Sequence, residues 1–130
     1  MAQNNFILLA EDDEDDQELI RLAFSKVTDQ HTFEIVNNGQ EALDSLGLQG
    51  KLPCLIILDL NMPILNGMQT LAALESESRF AKIPKVILTT SENEDNKKRS
   101  YSLGAVDYFI KPTTMPEFVK TAQKILAYCQ

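Results

Sequence analysis

The chain has little of what would commit it to an unusual environment. Its 130 residues contain no apolar run long enough to span a bilayer, and Met1-Ala2-Gln3-Asn4-Asn5 lacks the cationic start of a signal peptide. Basic residues are scarce: 12 Lys and Arg stand against 19 Asp and Glu. The resulting net charge of −7 argues against nonspecific binding to nucleic acid or to an anionic membrane. The 2 cysteines, Cys54 and Cys129, are far apart and form no Cys-x-x-Cys pair. Both are therefore expected as reduced thiols with no metal role, in a cytoplasmic protein. No internal repeat or low-complexity linker divides the chain, and its length suits one domain over residues 1–130 with no output domain attached. The hydrophobic share of 44% and charged share of 24% are those of an ordinary globular protein.

What is present is a regular alternation. Leu55-Ile56-Ile57-Leu58 is apolar without interruption, as in a strand buried on both faces. It stops at Asp59; Pro63 forbids further strand, and Asn66-Gly67 supplies turn chemistry before a helix with Met68, Leu71 and Leu74 inward. Phe6-Ile7-Leu8-Leu9-Ala10 and Val86-Ile87-Leu88 are runs of the same kind, while Phe33-Glu34-Ile35-Val36 alternates like an edge strand. Val106 to Ile110 makes a fifth strand. Between these runs lie helical patterns: Leu19, Ile20, Ala23, Phe24 and Val27 in the first, and Phe118, Val119, Ala122, Ile125 and Leu126 in the last. Asn38 with Glu41, and Ser91 with Glu94, have capping-box spacing. The helix opened at Ser91 is almost wholly polar, with Tyr101 its expected anchor. Five strands each followed by a helix imply an α/β fold with a doubly wound parallel sheet.

Parallel strands present their carboxyl ends along one edge, where open α/β sheets place their chemistry. That edge collects Glu11 and Asp12, Asp59, Thr89 and Lys111. The acids from Asp13 to Asp16 need no role beyond complementing a helix dipole. Glu11, Asp12 and Asp59 would repel one another unless a hard divalent cation with oxygen ligands, Mg²⁺ in practice, neutralised them. A hydroxyl, an ammonium, a metal and a carboxylate together suit phosphoryl transfer onto an acid.

These residues carry a resemblance. Ile7-Leu8-Leu9-Ala10-Glu11-Asp12, Asp59-Leu60-Asn61-Met62-Pro63 through Gly67, Thr89 and Lys111-Pro112 resemble the motifs of the CheY-like receiver domains of two-component response regulators. The likeness runs from about residue 6 to about residue 128. It implies a flavodoxin/CheY-like (βα)5 fold with strand order 2-1-3-4-5. It implies Asp59 as phosphoacceptor and Glu11, Asp12, Asp59 and the backbone carbonyl of Asn61 around Mg²⁺. Thr89 and Lys111 would contact the phosphoryl group, the Lys111–Pro112 bond would be cis, and Tyr108 would be the switch aromatic, its ring turning inward as Thr89 moves. The implied partners are a sensor histidine kinase or phosphotransfer protein and a downstream protein. The downstream target would dock on the face of the fourth helix, fifth strand and fifth helix, on a monomer or weak homodimer. Such a protein is a switch rather than an enzyme, catalysing only its own phosphoryl transfer and slow self-dephosphorylation. Thr90 is bulkier than the small residue usual after the threonine, and Glu75 to Lys82 is longer than in compact members.

Rival readings fit less well. A flavodoxin-type FMN site needs a Ser/Thr/Gly loop cradling phosphate, and Glu11-Asp12-Asp13 would repel one. An aspartate-based phosphohydrolase places a second acid two residues after the nucleophile, where this chain has Asn61. A degenerate scaffold would have lost a site residue, and none is lost.

Overall fold

The computed structural model describes residues 5–48 and 50–129; most of the segment read above for a signal peptide, residues 1–4, lies outside them. The strands are β1 (Phe6–Ala10), β2 (Thr32–Val36), β3 (Leu55–Leu58), β4 (Lys85–Thr89) and β5 (Asp107–Ile110). All pair in parallel in the order β2-β1-β3-β4-β5, as the resemblance implies. The helices are α1 (Glu14–Ser25), α2 (Gly39–Leu48), α3 (Gly67–Glu75), α4 (Ser78–Ala81), α5 (Glu94–Ser102) and α6 (Met115–Leu126).

The uninterrupted apolar runs are explained by two-sided burial. Successive side chains of a strand point to opposite faces, so Leu8, Ile56, Leu58 and Ile87 pack with Leu46, Leu71 and Leu74 from α2 and α3. Ile7, Leu9, Ile57, Val86 and Leu88 pack on the other face with Ile20 and Phe24 of α1 and Phe118 and Ile125 of α6. β4 starts one residue before its apolar run, at a buried lysine. The Lys85 ammonium donates to Glu75 Oε1 and to the Ala81 carbonyl, both at 2.9 Å, which satisfies a charge that burial alone would penalise.

Several local expectations are corrected. The long segment before β4 holds α4, anchored by buried Phe80, so the described residues form six helices rather than five. The expected fourth and fifth helices are thus α5 and α6. Asn38 caps α2 by accepting from the Glu41 N–H at 2.8 Å, but Glu41 reaches back to the N–H of Asn37 rather than that of Asn38. At α5 the cap is Asn93, not Ser91; Asn93 Oδ1 accepts from the Asn96 N–H at 3.0 Å. Tyr101 does not anchor α5 inward. It is 42% exposed, and the helix buries Ser100 instead.

The cysteines are the largest correction. Cys54 and Cys129 are joined as a disulfide across a sequence separation of 75, with Cα atoms 4.9 Å apart. The geometry follows from the topology: α6 runs back antiparallel to the strands, so its last turn arrives at the amino end of β3. Such a bridge restricts the unfolded chain and stabilises by roughly 2–4 kcal/mol.

One residue carries visible backbone strain. The Leu65 N–H donates to the Pro63 carbonyl at 2.7 Å, closing a γ-turn around Ile64. Ile64 has φ +68°, a region that β-branched residues seldom enter. Its side chain is 76% exposed, so no packing offsets the strain. Ile64→Gly is expected to relieve this strain and stabilise the fold by about 1 kcal/mol, because glycine has no Cβ to clash at this φ. Urea unfolding checks it: a midpoint that stays put or falls would show the turn to be unstrained.

Candidate functional site

The carboxyl edge of the sheet is fixed by backbone bonds that continue each ladder past its strand. Glu11 N–H donates to the Val36 carbonyl (3.0 Å), Asp59 N–H to Ala10 (3.1 Å), and Lys111 N–H to Thr89 (2.8 Å). Glu11, Asp59 and Lys111 therefore have defined positions before any side chain interacts. Gly67 completes the frame. A Cβ there would lie 2.4 Å from the Asp59 carbonyl oxygen, so the start of α3 approaches Asp59 this closely only as glycine.

Lys111 is the hub. Its side chain is only 7% exposed, and its ammonium lies 2.6 Å from Glu11 Oε1, 2.7 Å from Asp16 Oδ2 and 2.9 Å from Asp59 Oδ2. Of these contacts, those to Asp16 and Asp59 are hydrogen bonds. The contact to Glu11 Oε1 is a close charge pair outside hydrogen-bonding geometry, so that buried oxygen retains unused acceptor capacity. Asp16 is the site residue that sequence reasoning missed. The acids ahead of α1 do cap it, through Asp13, which accepts from the N–H groups of Asp15 and Asp16. The Asp16 side chain, however, turns to Lys111. No spacing in the sequence marks it, because Asp12 lies ahead of the helix and only the packing of α1 decides which of its first acids faces Lys111.

Glu11, Asp12 and Asp59 each offer a carboxylate oxygen, all within 4.8 Å of one another. This all-oxygen set fits a hard divalent cation, and the spare acceptor on Glu11 points the same way. Asp12 is exposed while the other two are buried, so the set is open to solvent on one side. Asn61 is exposed two residues past Asp59, and its N–H donates to Asp59 Oδ1 at 3.3 Å.

Thr89 is fully buried at the end of β4; its Oγ1 accepts from the Ser91 N–H at 3.4 Å. The neighbouring Thr90 is exposed. Tyr108 departs from expectation, because its ring already lies inward, 7% exposed, with its hydroxyl donating to the Ser91 carbonyl at 2.7 Å. An inward turn of the ring is thus not open to it from this conformation. The Lys111–Pro112 bond is trans, against the expected cis: there are no cis peptide bonds among the described residues. The trans form is the intrinsically favoured one, and Lys111 reaches its three carboxylates with it.

A model of the response regulator receiver domain matches residues 7–123. The chain belongs to this family. It is 35% identical over 127 residues to the response regulator Rcp1 of Synechocystis sp., covering 94% of this chain and 86% of Rcp1. Its fold superposes on the phosphorylated cyanobacterial phytochrome response regulator RcpA with a TM-score of 0.87. That comparison has 33% identity and covers 97% of this chain and 94% of RcpA. The Mn²⁺-bound form of Rcp1 gives a TM-score of 0.83 at 34% identity, with 95% and 92% covered. The protein is thus a receiver of two-component signalling with a CheY-like fold, from a family that binds divalent metal. No helix among its described residues is long and apolar enough to cross a membrane.

The electrostatics of this receiver's site are those of too many acids around one cation. Burial pushes the Glu11 carboxyl up to about 7, and nearby Asp59 adds to the rise, against the lowering effect of Lys111 and the Asp13 N–H. For Lys111, burial acts to lower the ammonium, but its contacts with Asp16, Glu11 and Asp59 outweigh it and hold it above its ordinary value. Glu11 is raised in the fold, so its stabilising contribution is complete below its unfolded value of 4.5 and is lost as pH rises through about 7. Lys111 is raised as well, so its contribution persists to alkaline pH and goes only above its ordinary 10.5. Metal-free protein is therefore expected to lose on the order of 2–3 kcal/mol between pH 4.5 and 7 from Glu11. Glu11→Gln should flatten that part of the stability profile. Denaturant titrations across this range check it, and identical profiles for the two proteins would refute the assignment.

Proposed function

We propose that this receiver is a phosphoacceptor switch in which Asp59 takes a phosphoryl group from the phosphohistidine of a sensor histidine kinase or phosphotransfer protein. The observation that carries the reading is the Asp59 carboxylate at the end of a central strand, 2.9 Å from the buried Lys111 ammonium and grouped with Glu11 and Asp12. An Asp59 oxygen attacks phosphorus in line, the N–P bond breaks, and the departing imidazole recovers its electron pair and takes up a proton. Lys111 is placed to pair with the phosphoryl oxygens, as it now pairs with Asp59. The Thr89 hydroxyl supplies a donor to the same oxygens. Mg²⁺, held by Glu11, Asp12, Asp59 and the Asn61 carbonyl, would supply neutralisation of charge on the transferring group. That RcpA is known in a phosphorylated form and Rcp1 in a Mn²⁺-bound form supports this reading. The protein turns over no other substrate on this view, and loses its phosphoryl group by slow self-hydrolysis.

The signal leaves through α5, β5 and α6, where a downstream protein docks. Drawing Thr89 toward the phosphoryl group disturbs Ser91, which Thr89 and Tyr108 both hold. The start of α5 lies just beyond. Ligation shifts such an equilibrium by a modest 1–3 kcal/mol or so.

Incubation with acetyl phosphate and Mg²⁺, followed by intact mass, is expected to show one added phosphoryl group. Asp59→Asn or excess EDTA should abolish it. Thr89→Ala should still be phosphorylated but lose most of the change in partner affinity seen with beryllofluoride. Stoichiometric labelling of the Asp59→Asn variant would remove Asp59 from this role.

A further inference from the structure

The edge opposite the carboxylates holds a second constellation. Cys54 immediately precedes β3, and Cys129 lies just past α6. Both cysteines are half-buried rather than sealed in the core. A His31 side-chain nitrogen lies within 4.8 Å of both sulfurs, so an imidazole stands beside the bond.

Tyr128, next to Cys129, donates from its hydroxyl to Asp107 Oδ2 at 2.6 Å. The other Asp107 oxygen accepts from the Tyr101 hydroxyl at 3.2 Å and from the Tyr108 N–H at 2.8 Å. One carboxylate at the start of β5 thus grips the end of α6 on one side and the end of α5 on the other. α5 depends on this grip more than other helices would, because Ser100 is its only buried residue among those described. Tyr128 itself lies beyond the last residue of α6. It is held by its N–H bond to Ile125 (3.0 Å), by partial packing against the core on the α1–α6 side, and by the covalent tether of its neighbour.

We propose that Cys54–Cys129 is a thiol–disulfide exchange site for a glutathione-class couple, and that its state sets the order of the α5–β5–α6 face through Tyr128 and Asp107. A first glutathione thiolate attacks one protein sulfur, the S–S bond breaks, and a mixed disulfide forms. A second thiolate attacks the glutathione sulfur of that mixed disulfide and releases glutathione disulfide. The cystine gains two electrons, two glutathione thiols lose them, and the two protons they shed return to Cys54 and Cys129. With the tether gone, the last turn past α6 frays. Tyr128 then leaves Asp107, and Tyr101 is held by a carboxylate no longer fixed from its far side. The receiver would thereby read redox state on the surface through which it reads phosphorylation.

The test is hydrogen exchange of the intact chain, without phosphodonor, across a series of reduced-to-oxidised glutathione ratios. Keeping Asp59 unmodified separates this result from the fate of the phosphoacceptor reading. The bridge is expected to open within the series. Opening should speed amide exchange about tenfold or more in α5 and past the end of α6, leaving β1 and β3 unchanged. A C54S/C129S double variant should match the reduced protein. Tyr128→Phe, with the bridge intact, should reproduce the change in α5; this arm stands even if the double variant fails to fold. A bridge that stays closed at every ratio overturns the proposal. So does α5 exchange that is equal in both states, a uniform rise across the whole sheet, or a Tyr128→Phe protein with unaltered α5.

Discussion

The structure turns on one ammonium group. Lys111 leaves the end of β5 and meets carboxylates from three other places: the end of β1, the first turn of α1 and the end of β3. Without it the buried Glu11 and Asp59 would face each other across a site with no cation from the chain. With it, the site is still short of positive charge, since Asp12 and Asp16 add two more acids. That deficit is functional in form. A site that one lysine cannot neutralise has room for a divalent ion, and a further cation would act against the burial that raises the Glu11 carboxyl.

The sheet separates two kinds of work by its polarity. Its carboxyl edge carries the acids, Thr89 and Lys111, while its amino edge carries the disulfide and the buried Lys85. β5 joins the two edges in only four residues, on the order of 13 Å of extended chain. Asp107 opens it, where α5 and α6 are gripped; Tyr108 follows, bonded to the loop beyond β4; Lys111 lies immediately past its end. Any event at one edge that shifts this short strand is felt at the other. The strand pairs on one side only, with β4, which leaves it freer to shift than β1 or β3.

Most of this was legible in the residues because burial on two faces writes itself as unbroken apolar runs. Those runs located β1, β3 and β4, and hence the edge on which Glu11, Asp59 and Thr89 meet. What was hidden has physical reasons. Asp16 sits among six consecutive acids, all equally suited to a helix start. Only the rotation of α1 on the sheet singles out the one facing Lys111. The pairing of Cys54 with Cys129 depends on where α6 ends after its return across the sheet, a three-dimensional coincidence that spacing does not carry. α4 is a single turn, too short for a periodicity to register, and only Phe80 marks it. Tyr101 was the most apolar residue on α5 and so looked like its anchor, yet the close approach of the helix to Met68 admits only a small side chain, Ser100.

The inward position of Tyr108 changes what a switch in this fold must do. A ring that is already buried gains nothing by turning inward, so the free-energy difference between states has to come from elsewhere. The remaining candidate on this strand is the hydroxyl bond to the Ser91 carbonyl, which ties β5 to the loop leading into α5. Breaking it would leave a polar group to be rehydrated, at a net cost of about 1 kcal/mol. Keeping it while Thr89 moves would instead drag Ser91, and α5 with it. The second course costs less, because α5 is held by few apolar contacts and can follow. A weakly seated helix next to a firmly bonded tyrosine is therefore consistent with the proposed switch: the tyrosine would transmit displacement, and the helix would supply the compliance.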